Sequence, residues 1–195
     1  PGAQPEFQMT RSIKPRTTGL QLDSTIVYSG FAGPDSMPVL RNIHTYPQNN
    51  VEVIVESYFD LKQWIPLSRT TLVSNDFDQL IETTAEIFDY ESGVFLPDSK
   101  IEIHPRGNGV LLDSFFVSGW APELNAWKRL LSTWNSFDDQ DRLKESLSAM
   151  EFFDVPLYFI DRYRYNDEGD LTTITSFNIV NNEEFPSEKQ EMYYV

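Results

Sequence analysis

The chain has 195 residues, of which 30 are acidic and 15 are basic, so its net charge is −15, yet 40% of it is hydrophobic and 14% is aromatic. This aromatic content predicts a folded domain, because disordered acidic segments are poor in aromatic residues. The negative charge repels phosphate groups, so we expect no sequence-specific nucleic-acid binding and no docking on a membrane. With no cysteine and only two histidines, His44 and His104, the chain has few of the residue types that build nucleophilic and metal sites.

Residues 1–22 predict an extended basic arm. Arg11, Lys14 and Arg16 stand against a single acid, Glu6, and three prolines interrupt any apolar pattern. The arm therefore carries a charge of +2. Because the whole chain carries −15, residues 23–195 carry −17. It is either a loose terminus or a segment that lies on the acidic surface of a neighbouring copy. The stretch has no basic patch followed by an apolar core, so it predicts no signal peptide in the chain as given.

The next residues predict strands of a single domain that covers 23–186 and precedes an acidic C-terminal tail over 187–195. Residues 24–28 are rich in β-branched side chains, and 51–59 alternate valines with acids, which predicts a strand whose valine face is core. Residues 64–73 could pair with that strand, although Pro66 indicates an edge or a break.

Three segments predict helices. The first is near 75–90, with Ser74, Asn75 or Asp76 as its N-cap and residues at helical spacing: Phe77, Leu80, Ile81, Thr84 and Phe88. The other two form a helix pair near 122–150. Its first helix begins at Pro122 and has an apolar stripe that ends at Trp134, and its second is capped by Asp138 or Asp139.

Two hairpins complete the expected elements. Asn108-Gly109 predicts a tight turn between the strands at 100–104 and 110–118. The acidic, glycine-containing turn 166–169 joins strands at 155–165 and 171–180. We find no internal repeat. The order of strands and helices predicts an α+β fold with a largely antiparallel sheet.

No motif predicts catalysis or a metal site. Glu102 and His104 share a face of one strand, as a metal-binding pair would, but two ligands do not make a site and His44 is the only other imidazole. We therefore expect no metal, no cofactor, no catalytic residue and no small-molecule substrate. Paired carboxylates brought together by the fold stay open as an acid–base alternative, because thirty acids are present.

The strand at 155–165 carries the candidate subunit contacts. One face has Leu157, Phe159, Asp161, Tyr163 and Tyr165, and the other has Tyr158, Ile160, Arg162 and Arg164. Neither face is purely polar, which indicates that both are covered, either by a helix layer within the monomer or by another subunit. For a subunit contact we select the two arginines and the last two tyrosines of this strand and the basic residues of the arm: Arg162, Tyr163, Arg164, Tyr165, Arg11, Lys14 and Arg16.

The layout of residues 110–186 resembles that of tail-tube and baseplate proteins of phages and related contractile injection machines. In that family a strand leads into a short helical excursion, and a second strand then turns at an acidic, glycine-containing corner into a strand that ends near an Asn-x-x-x-Pro phrase. The matching pieces here are the strand at 110–118, the helices at 122–150, the strand at 157–165, the corner Asn166-Asp167-Glu168-Gly169 and the run from Phe177 to Pro186. The resemblance implies rings of identical subunits whose joined sheets line an acidic channel for DNA.

These observations favour a non-enzymatic structural protein that self-assembles or joins a larger particle, such as a virus or phage virion. A second hypothesis is a monomeric acidic binding domain, an inhibitor or immunity-type protein that masks a basic partner. A third is an acid–base enzyme that uses paired carboxylates. We expect a virion location if the protein is viral and a cytoplasmic one otherwise.

Overall fold

The computed structural model describes residues 8–16, 19–29, 37–107, 111–152 and 155–193, and the side chains of 23–28, 38–107, 111–151 and 155–193. The described residues form thirteen β-strands, which pair in the order of the chain. Within these ranges no helix is long and apolar enough to cross a membrane. The chain divides into two compact units, Pro1–Ser99 and Lys100–Val195.

The first unit is an antiparallel meander in which each strand pairs with the next one along the chain. Its outermost strand is β1, which pairs only with β2. The strands are β1 (Gln8–Arg16), β2 (Gly19–Ser29), β3 (Met37–Gln48), β4 (Val51–Asp60), β5 (Gln63–Ser74), β6 (Leu80–Asp89) and the beginning of β7 (Val94–Pro105).

The second unit begins within β7 and continues as the same kind of meander. Its outermost strand is β13, which pairs only with β12. The remaining strands are β8 (Leu112–Ala121), β9 (Ala126–Phe137), β10 (Leu143–Phe152), β11 (Val155–Tyr165), β12 (Leu171–Val180) and β13 (Glu183–Glu191).

The prediction of an α+β fold is wrong, because every predicted helix is a strand or a turn. The segment near 75–90 is a turn followed by β6, and the pair near 122–150 is a turn, β9, a second turn and β10. The physical reason is that both faces of these strands carry apolar side chains. The strict alternation that identifies a half-buried strand is then lost, and the apolar positions fall at helix-like spacing by coincidence. The antiparallel sheet itself is confirmed.

Two of the predicted strand pairings are confirmed, whereas none of the predicted helices is. The hairpin of 155–165 and 171–180 is confirmed as β11 and β12, and Gly169 in its turn has φ +95°. Residues 64–73 pair with β4 as predicted, and the register shifts next to Ser57, the partner of Pro66. The Asn108-Gly109 turn lies outside the described residues, but the flanking Arg106 N–H donates to the Leu111 carbonyl at 2.8 Å.

One turn occurs three times, at residues 75–79, 138–142 and 166–170, and the sequence reading missed it. In each, the first residue is Asn or Asp, and its side-chain Oδ1 accepts the N–H of the fifth residue at 2.8 to 3.1 Å. The fourth residue, Asp78, Asp141 or Gly169, has a positive φ of 57° to 95°. A leucine then opens the next strand in every copy. The repeated phrase is Asn/Asp-Asp-x-Asp/Gly-x-Leu.

Two-residue turns join other neighbouring strands. Leu61 and Lys62 connect β4 to β5 with φ values of 44° and 68°, and Asn181 and Asn182 connect β12 to β13 with 53° and 64°. Positive φ at both central residues matches the right-handed twist of the flanking strands, and asparagine tolerates it well. The Asn181-Asn182 turn explains why 183–191, expected in part as a tail, continue the sheet as β13.

Little of the described part is core. Among its apolar side chains only Ala121, 6% exposed, and Ile160, 9% exposed, are buried, whereas eighteen large apolar side chains are exposed. The valines of β4 are half-buried rather than core, and on that strand only Ser57 is buried. The apolar residues therefore lie mostly on sheet surfaces, where a strand neighbour covers each one only from the side.

Candidate interaction surface

Arginine side chains in cation–π contact with aromatic rings connect the strands. Six of the seven arginines with described side chains place their guanidinium 4.2 to 4.9 Å from a ring centroid, and five of these six also pair with a carboxylate. Such contacts hold adjacent strands, or strands two apart in the sheet, together without a buried core. Part of the acid excess thus serves the fold itself. The pairs are Arg41 with Trp64, Arg69 with Phe95, Arg106 with Phe137, Arg129 with Phe116, Arg142 with Tyr165 and Arg162 with Phe177.

Arg162 makes the widest of these connections. Its Nη1 and Nη2 donate to both oxygens of Glu184 on β13 at 2.7 and 2.6 Å, and its Nε donates to Glu145 on β10 at 2.9 Å. The guanidinium lies 4.9 Å from the Phe177 ring centroid on β12, between the two acids. These hydrogen bonds, the pair with Glu184 first, raise the pKa of Arg162 and lower that of Glu184. One side chain therefore links four strands, and its carboxylate partners belong to its own chain.

The other candidate residues on β11 differ in whether their side chains already have partners within the chain. Tyr165 donates its hydroxyl to the Leu143 carbonyl at 2.9 Å beneath Arg142, and burial raises its pKa. Burial also raises the pKa of Tyr163. Arg164 is exposed and has no ion pair among the described residues. Arg164 is thus the arginine of β11 left available for a partner.

The basic candidates of the arm lie on β1. Arg11, Lys14 and Arg16 belong to the backbone range that pairs with β2 in an antiparallel register. Their side chains lie outside the described residues. The prediction that they contact another subunit stays a prediction.

An apolar patch occupies one face of the second unit. It consists of five side chains, each 40% to 56% exposed, at the ends of β10 to β13: Met150, Val155, Leu157, Val180 and Phe185. Met150 pairs directly with Leu157, and alternation brings Val155 to the same face. Phe185 pairs with Asn178, two residues before Val180, so these two share that face as well. The sequence reading placed Leu157 on this face but missed the other four.

The opposite face of the second unit carries Trp134, Leu147, Ile160 and Phe177 side by side on successive strands. Next to this row the small residues Ser132 and Ala149 leave a shallow groove of about 340 Å³. Its ends are charged, since Arg129 pairs with Glu102 at 3.3 Å and Glu151 with Lys128 at 3.0 Å. The residues that line it, ordered along β9 to β11, are Arg129, Leu130, Ser132, Ala149, Met150, Glu151 and Pro156.

The two histidines have different surroundings. His44 Nδ1 lies 2.7 Å from Glu52, which also accepts the Tyr46 hydroxyl at 3.0 Å, and His44 Nε2 is buried with no hydrogen-bond partner among the described residues. His104 stacks edge-on against Phe116 at 5.3 Å. No cluster of three metal-ligating His, Cys, Asp or Glu occurs where side chains are described.

Comparison with known proteins bears on the fold only. No protein family and no curated protein matches the sequence. A solved structure of a protein of unknown function from Bacteroides fragilis is 17% identical over 65% of this chain and 91% of its own, with a TM-score of 0.51.

Two more distant structures have TM-scores below 0.5. A DUF3836 family protein from Parabacteroides distasonis is 8% identical over 65% of this chain and 89% of its own, with a TM-score of 0.31. A porin-like protein from Bacteroides uniformis is 10% identical over 96% of this chain and 90% of its own, with a TM-score of 0.22. The chain is therefore similar in fold, over about two thirds of its length, to the Bacteroides fragilis protein.

Proposed function

We propose that the protein is a non-enzymatic structural protein that assembles with further copies of itself through its sheet. The apolar patch of the second unit supports this proposal most directly, because five large side chains at the ends of four adjacent strands are about half exposed. Contiguous exposed apolar patches on soluble proteins mark interaction sites. The resemblance of residues 110–186 to phage tail and baseplate proteins remains a prediction, on which the proposal does not depend.

The free energy of burying the patch can be compared with the free energy that a stable contact requires. Burying the exposed half of each side chain recovers about 1 kcal/mol, so the five together supply about 5 kcal/mol. A micromolar complex requires about 8 kcal/mol net of the entropy lost on association. The patch alone is therefore too small for a stable contact, and other parts of the chain must add to it.

Charge favours a second copy as the partner. The patch is bordered by Glu183, which pairs with Val180 and lies on the same face of β13 as Phe185. Residues 1–22 carry a net charge of +2 and the rest of the chain −17, so residues 1–22 of one copy are attracted to the acidic remainder of a neighbouring copy. An acidic binding domain that masks a basic partner is the second candidate, since the same border would attract any basic surface.

Light scattering on a lysine variant tests the proposal. Leu157→Lys places a charge in the centre of the patch, so we expect the mass of the assembled protein to fall to the 22.6 kDa of one chain. Leu61→Lys is the matched control, because Leu61 is 84% exposed, lies in the β4–β5 turn of the first unit and is not one of the patch residues. A wild-type protein that is monomeric at every concentration contradicts assembly and favours the acidic binding domain. Equal effects of both lysines contradict the role of the patch.

A further inference from the structure

The two outermost strands of the described part have opposite charges. β1 has Arg11, Lys14 and Arg16 and no acid, which gives +3. β13 has four glutamates against Lys189, which gives −3. Both strands are nine residues long. Each pairs with one neighbour, β2 or β12, so one edge of each carries backbone groups with no strand partner among the described residues.

The carboxylates of β13 are exposed and only partly used within the chain. All nine residues of the strand are exposed. Glu184 binds Arg162, and Glu191 pairs with Lys189. Glu183 and Glu188 form no ion pair among the described residues. Two negative charges of this edge are therefore free to meet a cation from outside.

We propose that β1 of one copy pairs edge to edge with β13 of the next copy, so that the sheet continues from chain to chain. The inference rests on the proposed self-assembly and specifies which surfaces meet. Backbone hydrogen bonds between the two nine-residue edges would supply the affinity, as in other cases of strand addition. The +3 and −3 charges would supply the selectivity.

The charge pattern also excludes the competing pairings. Two β13 edges would bring −3 against −3, and two β1 edges would bring +3 against +3, and like charges on facing strands are unfavourable. Pro186 removes one backbone donor from β13, which is a common feature of edges that resist unspecific pairing. Only the β1–β13 combination of edges is attractive.

Such a contact joins two different surfaces and is therefore heterologous. Heterologous contacts produce a closed ring if the rotation between copies closes and an open filament if it does not. The mass in solution would then exceed that of a dimer. Because the attraction is between exposed charges, association would weaken as the ionic strength rises.

A charge-swap experiment on the full chain tests this pairing. Glu183→Lys with Glu188→Lys changes β13 from −3 to +1, and Arg11→Glu with Lys14→Glu changes β1 from +3 to −1. In either double variant the two edges have the same sign, so we expect association to weaken about tenfold or more. An equimolar mixture of the two double variants, or a quadruple variant with both edges reversed, restores opposite edges and is expected to recover association.

The mixture keeps the result interpretable, because two misfolded variants would not rescue each other. Recovery in neither the mixture nor the quadruple variant overturns the pairing, as does wild-type association by either double variant alone. If the edge variants behave as wild type while Leu157→Lys dissociates the assembly, self-assembly stands and the edge inference fails. If wild type is monomeric, both fail together.

Discussion

Ile160→Ala tests the conclusion that Ile160 is one of the few buried apolar side chains in the described part of the second unit. Ile160 is 9% exposed and lies between Leu147 and Phe177 on the adjacent strands. The substitution removes three carbons at about 0.8 kcal/mol each, so we expect the free energy of unfolding to fall by about 2.4 kcal/mol. An open sheet face relaxes easily around a smaller side chain, which places this loss near the lower end for buried Ile→Ala changes.

Leu157→Ala is the matched control, because it lies three residues away on β11 and removes the same number of carbons. The β-branched isoleucine loses somewhat more strand propensity than leucine, which adds to the difference expected between the two variants. Leu157 is 40% exposed, so the expected loss is about 1.4 kcal/mol. Ile160→Val should cost about 0.8 kcal/mol. Urea unfolding at protein concentrations too low for association gives all three values. Equal losses for the two alanine variants, or a loss under about 1 kcal/mol for Ile160→Ala, would refute the reasoning.

Two further predictions concern ion pairing and turns. Arg162→Met should lower the urea midpoint by more than Arg164→Met, with a difference that shrinks as salt is added, because Arg162 holds two carboxylates and Arg164 holds none among the described residues. Arg162 lowers the pKa of Glu184 in the folded state, so the ionised Glu184 stabilises the fold. This contribution is present above the pKa of Glu184 in the unfolded chain and is lost as the pH falls through its folded-state pKa. Arg162→Met lacks the contribution and should therefore lose less stability than the wild type on acidification. Gly169→Ala should cost about 1 kcal/mol, whereas Asp78→Gly, at the equivalent turn position, should gain up to about 1 kcal/mol, both measured by urea unfolding. The same sign for both changes would contradict the equivalence of the turns.

The turns show why strand pairing was easier to predict than element type. Asn166 to Gly169 was recognised because a glycine occupied the position that needs a positive φ. The equivalent positions Asp78 and Asp141 carry aspartate, so the sequence of the same turn there also fits the start of a helix. A helix N-cap and this turn use the same chemistry, a side-chain oxygen that accepts nearby backbone N–H groups. Local hydrogen bonding could not distinguish the two structures.

The interaction surface was predictable only in part. The two mixed faces of β11 follow from simple alternation, and Leu157 and Arg162 lie on opposite faces as expected. The remaining patch residues required the register of four strands and the Asn181-Asn182 turn, which places Phe185 in β13 instead of a tail. The carboxylate partners of Arg162 come from strands 17 and 22 residues away, a separation that no local pattern encodes.

The mass of the wild-type chain in solution, measured by sedimentation velocity over a wide concentration range at low ionic strength, tests self-assembly most directly. Self-assembly predicts a mass above 22.6 kDa that rises with concentration. A mass of 22.6 kDa at every concentration would contradict it.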